Sequence, residues 1–188
     1  FAEMAARFDA RHGGFGGAPK FPHPDMLDFC LRHHARSGDP QARHITCLAL
    51  ERMCKGGIFD QLGGGFARYS TDATWTIPHF EKMLYDNGPL LRLLADASLV
   101  AENAQQRTLF GAAAEATAEW VMREMQSPHG GYYASIDADS EGEEGKFYVW
   151  TDSQVRDLLP ADYWRVAELH YGLDQAPNFE RRFWNLTV

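Results

Sequence analysis

The sequence predicts a mainly α protein with short β excursions at its turns. Three observations carry this. Apolar residues recur at three-to-four spacing in successive stretches. Glycine pairs follow several of those stretches. The segments with strand-like aromatic character are only a few residues long.

Taken in order, Phe1, Met4, Ala5 and Phe8 share one helical face, and Gly13-Gly14 stops that helix. Pro24 suits a first helical position, with Met26, Leu27, Cys30 and Leu31 forming the stripe behind it. Asp39-Pro40 opens a helix that carries Ile45, Leu48, Ala49 and Met53 on one side and closes at Gly56-Gly57. Pro78 is expected to open another, broken by Asn87-Gly88-Pro89 before Leu90, Leu91, Leu94 and Leu99. Residues 105–126 read as one long helix with Leu109, Ala113, Ala116 and Trp120 in register. Thr151 or Asp152 caps a short helix to Leu159, and a last one runs from Asp162 to Tyr171. Between them, Gly57 to Tyr69 is too glycine-rich for a helix, while 132–136 and 146–150 read as two strands joined by an acidic turn. Paired glycines before an apolar or aromatic residue recur at Gly13-Gly14-Phe15, Gly56-Gly57-Ile58 and Gly130-Gly131-Tyr132, which suits either an array of helical hairpins or ordinary helix ends.

Composition narrows the function. The 188 residues carry 18 Lys+Arg against 26 Asp+Glu, a net charge of −8, which argues against a nucleic-acid backbone as partner. The acidity is uneven: residues 1–55 hold eight basic and six acidic residues, residues 56–188 ten and twenty. No run is long and apolar enough to span a membrane. Cys30, Cys47 and Cys54 form no CxxC pair, so a disulfide framework or a four-ligand zinc site is not expected. Buried reduced thiols fit the cytoplasm.

Chemistry is concentrated in three blocks. The first, Trp75 to Asn87, presents His79, Glu81, Lys82, Tyr85 and Asp86. On a helix opened by Pro78, His79 would sit at the positive dipole end, where a neutral imidazole is favoured and can act as a general base. The same residues also suit a charged first turn with Lys82–Asp86 as a surface pair. The second block, Gly57 to Tyr69, offers Asp60, Gln61, Arg68 and Tyr69 on a backbone that glycine lets approach a ligand, with no phosphate-loop pattern. In the third, Asp137 to Gly142 mimics the start of a calcium loop, but Tyr148 stands where the bidentate Glu belongs. Asp137 and Asp139, two apart on a strand, would face one side. No metal site and no cofactor is expected. Aromatic residues beside carboxylates, amides and an Arg suit a sugar-like ligand.

These residues also carry a resemblance. The runs Gly13 to Pro22, Gly57 to Asp72, Trp75 with Pro78 to Asn87, and Ala134 to Gly142 with Gly145 to Trp150 resemble the thioredoxin-domain-containing proteins akin to spermatogenesis-associated protein 20. The match runs from about Phe1 to Glu180; Arg181 onward departs from it. The resemblance implies part of an α/α toroid of helical hairpins, similar to N-acylglucosamine 2-epimerases, cellobiose epimerases and six-hairpin glycosidases. It places the chain in the first half of that toroid as a single partial domain, 1–188, without the N-terminal thioredoxin-like domain and so without redox activity. On the matching motifs, His79, Glu81 and Asp137 are the catalytic candidates; Asp60, Arg68, Tyr69, Trp75, Lys82 and Asp139 are the substrate-binding ones. The expected activity is acid–base chemistry on a sugar-like substrate, of the epimerase or glycosidase kind. The alternative is a non-catalytic module that binds a ligand or supports the thioredoxin-like domain. A partial toroid also exposes apolar faces through which it could self-associate.

Overall fold

Proline placement and capping set the first helical hairpin. In the computed structural model, which describes residues 1–188, α1 spans Ala2–Ala6, α2 Pro24–Ser37 and α3 Pro40–Lys55. Gly38 takes the left-handed conformation that ends α2, and the Asp39 carboxylate accepts the Gln41 N–H to start α3. Only three residues of α2 are fully buried, Leu27, Cys30 and Leu31, whereas α3 buries eight and runs through the centre.

The second hairpin is α4, Leu84–Val100, with α5, Ala104–Trp120, capped by Asn103 and continued by a π-helical turn at Val121–Met125. α4 begins later than the sequence reading had it and passes straight through Gly88 and Pro89. Pro89 lies in the second turn, so it forfeits a single intrahelical bond. Burial of Leu90, Leu93, Leu94 and Ala97 outweighs that loss. Asn87 reinforces the start: its Oδ1 accepts the Phe66 N–H, and its Nδ2 donates to the Phe66 and Met83 carbonyls. The hairpins pack α2 on α4 and α3 on α5 around 22 buried core residues. A third hairpin, α6 (Asp152–Leu158) and α7 (Ala161–His170), follows. Thr151 and Gln154 form a complete capping box at its start. It leaves Leu158, Tyr163, Val166 and Leu169 exposed, the first three lining an apolar groove with Leu62, Trp150 and Leu186. No helix is long and apolar enough to cross a membrane.

The β elements are three two-stranded antiparallel ladders: β1 (Tyr69–Ser70) with β2 (Pro78–His79), β3 (Lys82–Met83) with β4 (Ser135–Ile136), and β5 (Asp139–Ser140) with β6 (Glu143–Glu144). The expected pairing of 132–136 with 146–150 does not form. β4 pairs with β3 instead, and Trp150 bridges Trp184 near the C-terminus. The acidic turn closes on itself because Glu141 and Gly142 both take positive φ, the two-residue geometry that matches strand twist.

The glycine repeat is real but has a different second copy. Neither Gly56 nor Gly57 is left-handed; the left-handed pair is Gly64-Gly65. The repeating unit is Phe8-Asp9 to Gly13-Gly14-Phe15, and again Phe59-Asp60 to Gly64-Gly65-Phe66. In each copy the two phenylalanines bridge, the Asp N–H donates to the second glycine carbonyl, and the first glycine N–H donates back to the Asp carbonyl. Each Asp carboxylate then takes a buried lysine at 2.8 Å, Lys20 on Asp9 and Lys82 on Asp60. Each ammonium lies over an indole, Trp75 at 5.2 Å and Trp120 at 5.1 Å.

The cysteines are free and buried, as their apolar surroundings implied. Burial pushes the Cys30 and Cys47 thiols up to about 11.

Candidate active site

Residues 78–83 form an extended ribbon, not the helical turn that Pro78 suggested. Pro78 sits at a strand start, paired to Ser70, and Asp72 clamps the intervening loop by accepting the Thr74, Thr76 and Ile77 N–H groups. Burial opposes ionisation of that carboxylate, but these hydrogen bonds hold its pKa below the usual value. The ribbon alternates: Pro78, Phe80 and Lys82 are buried, and His79, Glu81 and Met83 are half-buried. His79 is therefore not at a helix N-terminus. The helical face on which it was expected beside Lys82 and Asp86 does not exist.

On the outward face, His79 is the centre of a compact group. Its register partner is Tyr69, whose ring stacks on the imidazole at 5.1 Å and 19°, and Phe21 packs on Tyr69 at 4.9 Å. The Nδ1 atom meets Glu144 Oε1 at 2.7 Å, and Nε2 lies 3.9 Å from Glu81 Oε2. A carboxylate only accepts, so Nδ1 carries the proton and Nε2 of the neutral ring is the basic nitrogen. Arg68 Nη1 donates to the same Glu81 oxygen at 3.0 Å, and its backbone N–H donates to the Glu81 carbonyl. Asp86 stands nearby: burial pushes it up to about 6, with Arg68 opposing and Glu81 adding to the effect. The arrangement can hold a proton-accepting nitrogen in fixed tautomer beside a carboxylate and a guanidinium.

The other sequence candidates lie elsewhere. Lys82 faces inward, hydrogen-bonded to Asp60 Oδ2 and the Gly64 carbonyl. Burial lowers its pKa more than Asp60 raises it. Asp60 also ties its own turn, accepting the Leu62 and Gly63 N–H groups. Trp75 is fully buried, donates Nε1–H to the His12 carbonyl and offers no surface to a ligand. Asp137 and Asp139 are exposed, and Asp137 accepts the Asp139 N–H within its own loop. Asp137 itself lies outside the strands, so the expected shared strand face for the pair is absent. Of the nine candidates, Arg68, Tyr69, His79 and Glu81 are brought together. Sequence reasoning missed Glu144, because an acidic turn ordinarily means solvated charge; the contact spans 65 residues and has no local signature.

Hairpins stacked this way form part of an α/α toroid, a fold also seen in sugar epimerases and isomerases. The cellobiose 2-epimerase of Bacillus thermoamylovorans superposes with a TM-score of 0.62 at 13% identity, covering 78% of this chain and 41% of that one. The cellobiose 2-epimerase of Spirochaeta thermophila gives 0.60 at 20%, covering 72% and 36%, and a D-mannose isomerase 0.56 at 10%, covering 72% and 37%. The chain resembles a segment of the spermatogenesis-associated protein 20 proteins: it is 36% identical to the rat and human ones over an alignment 197 positions long, gaps included, that covers 95% of the chain. An uncharacterized Caenorhabditis elegans protein is 35% identical over 170 residues. The chain spans about a quarter of the length of these relatives. No protein-family model matches it.

Proposed function

We propose that this segment carries proton-transfer chemistry on a sugar-like substrate, of the epimerase or isomerase kind. The observation that carries the reading is His79 held between Glu144 at Nδ1 and Glu81 beside Nε2. In this reading Nε2 removes the proton next to the carbonyl of an open-chain sugar. Glu144 stabilises the imidazolium that forms, and Arg68 supports the charge developing on the carbonyl oxygen. The same imidazolium returns the proton to its original carbon after the enediolate has turned to present its other face, which gives the epimer; return to the neighbouring carbon gives the isomer once that carbon's hydroxyl proton has passed to the former carbonyl oxygen. A positioned imidazole base fits this chemistry better than glycoside hydrolysis, which calls for two carboxylates flanking the bond without a base between them. The fold-level likeness to enzymes whose names describe epimerisation and isomerisation points the same way.

The test is exchange of substrate carbon-bound hydrogen in D2O. Aldoses, ketoses and β-linked disaccharides are incubated with the protein and followed by proton NMR. Loss of signal at the carbon next to the carbonyl is expected, and His79→Gln should reduce it at least 100-fold, in line with the usual weight of a general base. Undiminished exchange in His79→Gln would end this reading. One observation favours a binding-only module instead: the His79 side chain is 29% exposed on an open face. Saturable sugar binding with no exchange by the intact protein would select that alternative.

A further inference from the structure

The geometry points to a second binding site on the opposite face of the 78–83 ribbon, a cleft that takes a single uncharged ring bearing hydrogen-bond donors on its edge. It is independent of the His79 chemistry, because ribbon residues that line it are the ones facing away from His79. The cleft has a volume of ≈ 240 Å³. At about 30 Å³ per water molecule this is room for one substituted six-membered ring. Its walls are largely apolar: Pro78, Trp150 and the mutually stacked rings of Phe80 and Tyr148, with the exposed Phe147 beside them.

Two amides set what the ligand must offer. Asn185 is only 5% exposed, and its Nδ2 donates to the Gly57 and Thr76 carbonyls, which fixes the amide. Its Oδ1 has no hydrogen-bond partner in the protein and is not sealed from the cleft that Asn185 lines. Gln61, only partly buried, adds a second acceptor. Its Nε2 is engaged by the Cys54 and Gly56 carbonyls, leaving Oε1 without a partner. A nearly buried acceptor left open is costly unless a donor reaches it. Both amides present acceptors, so the ligand donates.

Charge selects neutrality. Asp60 and Lys82 lie together at the cleft and cancel at 2.8 Å, and the ammonium already covers the Tyr148 ring at 4.8 Å. A cation would meet Lys82 and an anion Asp60 in a poorly solvated place.

The experiment uses calorimetry and ligand-observed saturation-transfer NMR on the 188-residue chain. Methyl β-D-glucoside probes a hydroxylated ring and nicotinamide a flat amide-bearing ring, with benzoate and benzylamine as charged counterparts. Saturable binding of either neutral probe is expected, with at least tenfold preference over both charged ones; which probe wins tells sugar from heteroaromatic. Ala67→Phe, which fills the cleft, should abolish binding with helical circular dichroism retained. Phe147→Ala, at a residue 69% exposed, should weaken it severalfold without touching the fold. No saturation with either neutral probe, equal binding of the charged ones, or full affinity in a folded Ala67→Phe variant would each overturn the proposal. The D2O exchange assay reads the other face, so the two readings fail separately.

Discussion

Lys82 meets Asp60 at 2.8 Å in the same way that Lys20 meets Asp9, each lysine buried beneath its own tryptophan. The clamp ties a glycine turn to the strand or extended segment that follows it. Removing one partner leaves an uncompensated buried charge. Lys82→Met should destabilise by about 3–5 kcal/mol, and the double variant Lys82→Met/Asp60→Asn should recover part of that loss, because the charge left behind is neutralised. Urea unfolding of the two variants checks this; a double variant no more stable than the single one contradicts it.

The indole above each clamp leaves no room on the turn beneath it. A Cβ on Gly65 would stand 2.8 Å from the Trp120 ring, at φ +81, and one on Gly14 2.6 Å from Trp75, at φ +75. Backbone strain and overpacking add, so Gly65→Ala should cost about 2–4 kcal/mol and lower Tm by several degrees. Gly16→Ala is the comparison, since its φ is also positive but nothing lies within 4 Å. Equal losses at Gly65 and Gly16 would leave backbone strain as the whole effect.

Asp86 gives a pH signature. Its folded pKa is pushed up to about 6 from 3.8, chiefly by burial. The folded state therefore holds this proton more tightly than the unfolded chain does. The contribution to stability is greatest below about pH 4 and is lost as pH rises towards 6. Asp86→Asn should match the parent at pH 4 and exceed it at pH 7 by about 1 kcal/mol, once solvent screening of a half-exposed group is allowed for. Denaturant midpoints at the two pH values measure the difference.

Asp9 has the opposite sign. Burial works against its ionisation, but the Lys20 hydrogen bond and the His12 and Arg11 N–H groups hold its pKa far below the usual carboxylate range. Its contribution is present above about pH 4 and disappears as pH falls. Asp9→Asn should flatten the acid limb of the parent's stability profile, and an unchanged limb would refute that assignment.

The thiols should be inert. Burial drives Cys54 even further up than Cys30 and Cys47. At pH 8 a disulfide reagent should modify none of the three until denaturant is added. Rapid modification of the folded protein would mean that the α2–α3 interface opens.

Local signals made α2, α3 and α6 legible before the structure: a proline at the first position, a capping Asp or Thr, a glycine after α2 and α3, and an apolar stripe on the longer two. The toroid itself was legible through resemblance rather than through periodicity. What failed was the stretch from Pro78 to Pro89. Its composition suits a charged helix start and a break, yet the first half is held straight by Tyr69, Ser70 and Ser135 from other parts of the chain. The second half stays helical through leucines buried against its neighbours. Both outcomes come from tertiary contacts that outweigh local propensity. The site followed the same division. His79, Glu81 and Arg68 stand close in the chain and could be grouped by reading it, whereas the Glu144 contact depends on how the acidic hairpin folds back.

The alternation along 78–83 ties the outer chemistry and the inner cleft to one thread. Deleting a single residue between Ser70 and Pro78 would slide the thread by one place and turn every side chain through half a revolution. The imidazole would then enter the aromatic cleft and the ammonium would reach water, exchanging the two faces in one step. The length of the 71–77 loop, which lends the cleft only the Thr76 carbonyl that holds Asn185 and lends no side chain to either site, is thus as much a part of both as the residues that line them.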